Sequence, residues 1–132
     1  MNGFNWVGET SKCSPEMILG VLREVVDSDV KTANGLKRRG IDYKIVEEAT
    51  NKIVVLRHRD MGGFVEGMAV VFELRDRKIH VYARKADGHA ALFTASPHID
   101  LDSSECMLEV DGKPFRFWQV SRKALEDLFF GF

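Results

Sequence analysis

The sequence is poor in the residues that build cross-linked, metal-bound or membrane-spanning proteins. Cysteine occurs only at Cys13 and Cys106, with no C-x-x-C pair and no cysteine–histidine cluster. A structural zinc site of the usual spacing is therefore excluded. No run of about 18 apolar residues occurs, so no membrane helix is expected. The first eight residues lack both a basic region and a long apolar stretch, so no signal peptide is expected. Cytoplasmic localisation follows as the expectation. A single disulfide is open to the two cysteines, but two reduced thiols suit a cytosolic chain better. Charge of one sign is also missing. Nineteen Lys and Arg face twenty Asp and Glu, for a net charge of -1. Such balance argues against binding polyanions or membranes over the whole surface, so any basic site must be local. No repeat and no Pro/Gly/Ser linker interrupts the chain, which reads as one domain over residues 1–132.

What the chain does have is apolar residues: 45% are hydrophobic, nine of them Phe. That is a globular balance, and a chain of this length buries about two-thirds of its unfolded surface. Phe4–Val7 reads as a short strand. Ser14-Pro15-Glu16 is a helix start: a capping hydroxyl, a proline suited to the first turn, and an acid at the positive end of the dipole. Met17, Ile18, Val21, Leu22, Val25 and Val26 follow at helical spacing. Asp27-Ser28-Asp29 then predicts a break, and Val30–Arg39 a short second helix closed by Gly40.

From Tyr43 the apolar period falls to two. Strands are expected at Tyr43–Val46, Ile53–Arg59, Phe64–Leu74, Ile79–Lys85, Ala90–Ala95, Cys106–Val110 and Phe115–Val120. Short turns separate them, Asp87-Gly88 and Asp111-Gly112 being the clearest, and 96–104 is the longer loop. Two-residue turns put Ala83 opposite Leu92, Cys106 opposite Phe117 and Leu108 opposite Phe115. A turn at Asp76-Arg77 puts His80 opposite Glu73, whereas a turn one residue earlier gives it a different partner with equal facial match. The strand Phe64–Leu74 is apolar on both faces and so central. Ser121 is expected to cap a last helix carrying Ala124, Leu125, Leu128 and Phe129. The class is α+β: an antiparallel six- or seven-stranded meander, strongly curved or barrel-like, with two N-terminal helices and a short C-terminal one.

Catalytic constellations are not apparent. His58, His80, His89 and His98 stand in no metal-ligand or nucleophile motif. Cys106 faces a Phe and reads as inert. No catalytic residue, metal or cofactor is assigned. The charges say more. Alternate turns of a meander share an end, which gathers Arg57, His58, Arg59, Arg84, Lys85 and His89 into a basic rim, the expected protein-binding surface. Lys37, Arg38 and Arg39 on the second helix are the candidate nucleic-acid contact. The apolar tail Phe129-Phe130-Gly131-Phe132 is expected to dock on the core, with a dimer or partner contact as the alternative.

Residues Glu105–Phe129, with Asp111-Gly112, Val120-Ser121-Arg122 and Ala124 to Phe129, resemble the hairpin-then-helix ending of an uncharacterised family of small bacterial proteins. The resemblance covers about a fifth of the chain and implies a bacterial or phage origin, with no activity to carry over. The order of elements also resembles the helix-grip fold, which implies an apolar cavity. Phe64, Met68, Phe72, Tyr82 and Phe93 would then be lining candidates. The function expected is non-enzymatic, stoichiometric protein binding of the inhibitor, immunity-protein or phage-antagonist type. Small-ligand binding or catalysis in a cavity, and nucleic-acid binding, are the alternatives. No membrane partner is expected, and a homodimer is left open.

Overall fold

The computed structural model describes residues 7–8, 13–36, 40–60 and 65–131; of Arg59, Asp60, Val65 and Glu66 it describes the backbone only. Helix α1 spans Pro15–Gly35. Seven strands follow: β1 Ile41–Val46, β2 Lys52–Asp60, β3 Val65–Arg75, β4 Lys78–Lys85, β5 Gly88–Asp100, β6 Glu105–Val110 and β7 Lys113–Phe115. Helix α2, Phe117–Phe130, closes the described fold. The strands pair antiparallel in chain order, a single curled half-barrel meander. Among the described residues no helix is long and apolar enough to cross a membrane.

The predicted start of α1 is as expected, with the Ser14 hydroxyl accepting from the Met17 N–H at 3.3 Å. The predicted break is not. One 21-residue helix replaces the two expected N-terminal helices. Its buried stripe, Ile18, Leu19, Leu22, Val26, Val30 and Ala33, passes straight through Asp27-Ser28-Asp29. The helix continues through them because both aspartates find partners of their own. Asp27 pairs with Lys31 one turn on at 2.9 Å. Ser28 accepts at its carbonyl from Thr32 at 3.0 Å, and Asp29 accepts from Ser121 at 2.6 Å. The stripe is also rotated from the one predicted: Met17 and Val21 are exposed. The expected strand Phe4–Val7 lies outside the described residues except for Val7, which is not in a strand.

The meander holds with three corrections. First, β5 is one 13-residue strand running through the predicted loop at 96–104, so that only its final residues turn. Second, the β4–β5 turn is Ala86-Asp87, with Lys85 opposite Gly88, and a bulge at Leu92 pairs Val81 with Phe93 and Tyr82 with Ala91. Third, β7 stops at Phe115 and α2 begins at Phe117, not after Ser121. The β6–β7 ladder therefore ends at Leu108 and Phe115, short of the expected Cys106–Phe117 pair; on its other side Cys106 pairs with Ile99 of β5. The Arg116 N–H donates to the Gln119 side chain at 2.7 Å, a first-turn closure that converts the predicted strand end into helix. Leu108 does face Phe115, and His80 does face Glu73. The turns behind those registers adopt positive φ at Asp76, Arg77, Asp111 and Gly112.

The two faces of the sheet differ. Ile53, Val55, Val70, Phe72, Ile79, Val81 and Leu108 join the apolar stripes of α1 and α2 in the main core. On the other face Val54, Ala69 and Val71 form a small second cluster with Val46, Leu56 and Tyr82. Strand β3 thus contributes to both, as its two apolar faces predicted.

Cys13 and Cys106 form a disulfide across a separation of 93 residues. This corrects the expectation of two free thiols. The residue before the α1 cap meets β6 only once the sheet has curled, a juxtaposition that spacing along the chain does not reveal. The bond ties the helical layer to the far strands. Closing a loop of this length contributes about 4.6 kcal/mol in the chain-entropy account. A Cys13→Ser/Cys106→Ser double variant, or the native chain in reductant, is therefore expected to lose about that much stability in urea titration.

Candidate functional site

Helix α2 is placed by polar groups that reach out of the sheet. Tyr43 on β1 and Arg57 on β2 are cross-strand partners on the core face. Both are buried, at 3% exposure each. The Tyr43 hydroxyl lies 3.4 Å from the Leu128 carbonyl and 3.2 Å from that of Phe129. An Arg57 guanidinium N–H donates to the Leu128 carbonyl at 3.1 Å. These are last-turn carbonyls of α2, which lack partners within the helix and carry the negative end of its dipole. The phenol of Tyr43 also meets the Phe129 ring edge-on, centroids 4.8 Å apart. A second clamp holds α1: the Asn34 side chain both accepts from the Tyr43 N–H at 2.9 Å and donates to its carbonyl at 2.8 Å.

So fixed, the two helices run side by side, joined at one point by the buried Ser121 hydroxyl donating to Asp29. Between them opens a groove of about 530 Å³, floored by Ala33, Ser121 and Leu125 and flanked by Leu36, Trp118 and Phe130. Those three flanking side chains are each more than half exposed: 53%, 53% and 56%. Arg122 and Glu126 on the groove's edge form an i,i+4 pair at 2.7 Å. A second cleft of about 580 Å³ borders Cys13 and is lined by polar and apolar residues, among them Arg77, Lys78, His98 and Ile99.

The predicted basic rim does not survive as one surface. Arg57 is removed from it by burial, for the period of two that makes β2 a strand also turns Arg57 inward with Ile53 and Val55. Arg84 lies on the opposite face, paired with both carboxylate oxygens of Glu48 at 2.6 and 3.1 Å. That bidentate contact crosses the outer surface of β2 and β3, drawing the guanidinium away from the expected end. His58, Lys85 and His89 are exposed. His89 stacks on Tyr82 at 5.0 Å between ring centroids. The Arg59 side chain and all of Lys37, Arg38 and Arg39 lie outside the described residues.

The histidines sit apart in their own settings. His80 contacts the Arg75 carbonyl at 3.1 Å, while its cross-strand neighbour Glu73 accepts from Tyr82 at 3.0 Å. Among the described residues no three His, Cys, Asp or Glu side chains converge as metal ligands. The cavity candidates separate too: Phe72 is fully buried in the main core, Tyr82 lies on the other face, and Phe64 lies outside the described residues. Neither cleft above is lined by Met68, Phe72, Tyr82 or Phe93. The predicted tail is divided: Phe129 packs into the core, Phe130 faces the solvent, and Phe132 lies outside the described residues.

A strand over Phe115–Val120, as the sequence suggests, hides the groove, because it takes Trp118 out of the helix that carries it. The available signal was the spacing of Val120, Ala124 and Leu128, which as one helical stripe leaves Trp118 and Phe130 outside it. No family model, curated protein or solved structure matches this chain.

Two outcomes test these contacts. Arg57→Met keeps the apolar stem and removes the donor to Leu128, so chemical denaturation should show a loss of about 2–3 kcal/mol. Arg84, chiefly through its hydrogen bonds, holds the Glu48 carboxyl below the usual carboxylate range. A depressed folded-state value contributes stability that is present above the unfolded pKa and lost as pH falls through the folded one. Acid titration of stability should therefore be shallower for Glu48→Gln than for the native chain, at carboxylate pH only.

Proposed function

We propose that this chain is a non-enzymatic protein-binding module, and that its contact surface is the helical layer and not the basic rim. The observation that carries the reading is the cluster of Leu36, Trp118 and Phe130, three large apolar side chains more than half exposed around one groove. Clustered exposure of this kind is unusual on a surface with no binding role. Trp and Phe beside a preformed concavity are the side chains that dominate interface energetics. The occupant that fits is an amphipathic helix: an aromatic or leucine anchor for the groove, and charges of both signs to meet Arg122, Glu126 and Asp29 along its edge. Stoichiometric capture of this kind is how inhibitors, immunity proteins and phage-encoded antagonists act.

The cytosol is not part of this proposal. A disulfide persists best where thiols are not held reduced, and the Cys13–Cys106 bond favours such a setting.

Site-specific photo-crosslinking separates the two surfaces. A photoreactive residue replacing Arg122 should trap a polypeptide, and Phe130→Ser in the same chain should abolish the adduct. Adducts from a photoreactive residue at His89 alone, or none at Arg122, would overturn the assignment to the helical face.

A further inference from the structure

The exposed ridge of α2 reads nearly the same in both directions. Trp118, Arg122, Glu126 and Phe130 follow at steps of four, and all four are exposed. Residues so spaced form one ridge on a helix surface. Its ends are aromatic, separated by about 18 Å at the helical rise per residue. Its middle holds one cation and one anion, already paired along the helix. A half-turn about an axis at the height of Ala124 carries position 118 onto 130 and position 122 onto 126.

From this we infer that the occupant of the groove is a second copy of this chain, docked by an antiparallel two-fold pairing of α2 with α2. The inference rests on the reading of the helical face as a docking surface and names its partner. In such a pairing each ridge lies in the groove beside the other, the i±4 class of helix packing with axes inclined by about 50°. Trp118 of each copy meets Phe130 of the other and enters the groove beside Leu36 and Phe129. Arg122 of each copy meets Glu126 of the other, so that four charges alternate in a ring with each cation between two anions. A two-fold interface requires a self-complementary patch. A surface with aromatics at both ends and opposite charges symmetrically placed between them satisfies that requirement in sign as well as in shape. Apolar contact supplies the affinity; the charge ring sets direction and register, since exposed pairs contribute little energy but like charges in register are rejected.

The test is sedimentation velocity on the purified disulfide-bonded chain at about 0.2 mM, above the dissociation constant of any micromolar dimer. The native chain should sediment at twice the chain mass. Arg122→Glu leaves two anions facing two anions, and Glu126→Arg two cations facing two cations; each alone should be monomeric with unchanged far-ultraviolet circular dichroism. Mixed in equal amounts, the two variants should form a heterodimer, because each then presents a single, opposite sign at both positions. A monomeric native chain overturns the proposal, while an Arg122 crosslink to a different protein would still uphold the docking face. A dimer that both charge variants retain overturns the proposal and removes the groove as its interface. Failure of the mixture to dimerise, with both variants folded, overturns the antiparallel geometry.

Discussion

A buried cation at the end of a helix organises this molecule. Arg57 and Tyr43 project from adjacent strands onto the last carbonyls of α2, where the dipole is negative and the backbone has no partner of its own. Burying a guanidinium is costly unless its donors find acceptors of the right sign. The helix C-terminus supplies such an acceptor, and the sheet in turn fixes the position of the helix. Once α2 is held there, its apolar stripe packs inward while Trp118 and Phe130 are held outward, and the groove against α1 follows. Arg57, one of the six residues expected at the basic rim, is part of the device that creates a different surface.

The same layering accounts for the disulfide. A meander grows one strand at a time, so α1 and β6 are distant along the chain and adjacent only after the sheet has curled. The bond between Cys13 and Cys106 closes that circuit on the core side. On the outer side the Glu48–Arg84 contact performs a smaller version of the same task. It reaches from the β1–β2 turn to β4, over the cluster of Val54, Ala69 and Val71. Both contacts oppose opening of the half-barrel, one covalently and one through charge.

Strand β2 shows where inference from the sequence ended. Ile53, Val55 and Arg57 share one parity, Val54 and Leu56 the other, and both sets are apolar apart from the arginine. Periodicity alone does not distinguish the core face from the outer one, and proximity to a turn places Arg57 beside His58 and Arg59. The α1 break at Asp27-Ser28-Asp29 misled for a related reason. Acidic residues favour helix ends when nothing else satisfies them, and here Lys31 and Ser121 do.

Local chemistry, acting through near neighbours, was legible in the sequence: the Ser14-Pro15 helix start, the antiparallel meander from its period of two and its short turns, and the central place of β3. Contacts between residues far apart in the chain were decided by the tertiary structure alone. These are the disulfide, the inward arginine, the Glu48 partner that takes Arg84 from the rim, and the groove between helices that the sequence separates by the whole sheet. Alternation and capping depend on two to four residues at a time and leave a mark in any short window. A site assembled from Leu36, Trp118 and Phe130 depends on how a curled sheet brings its first and last helices together, and no short window contains that.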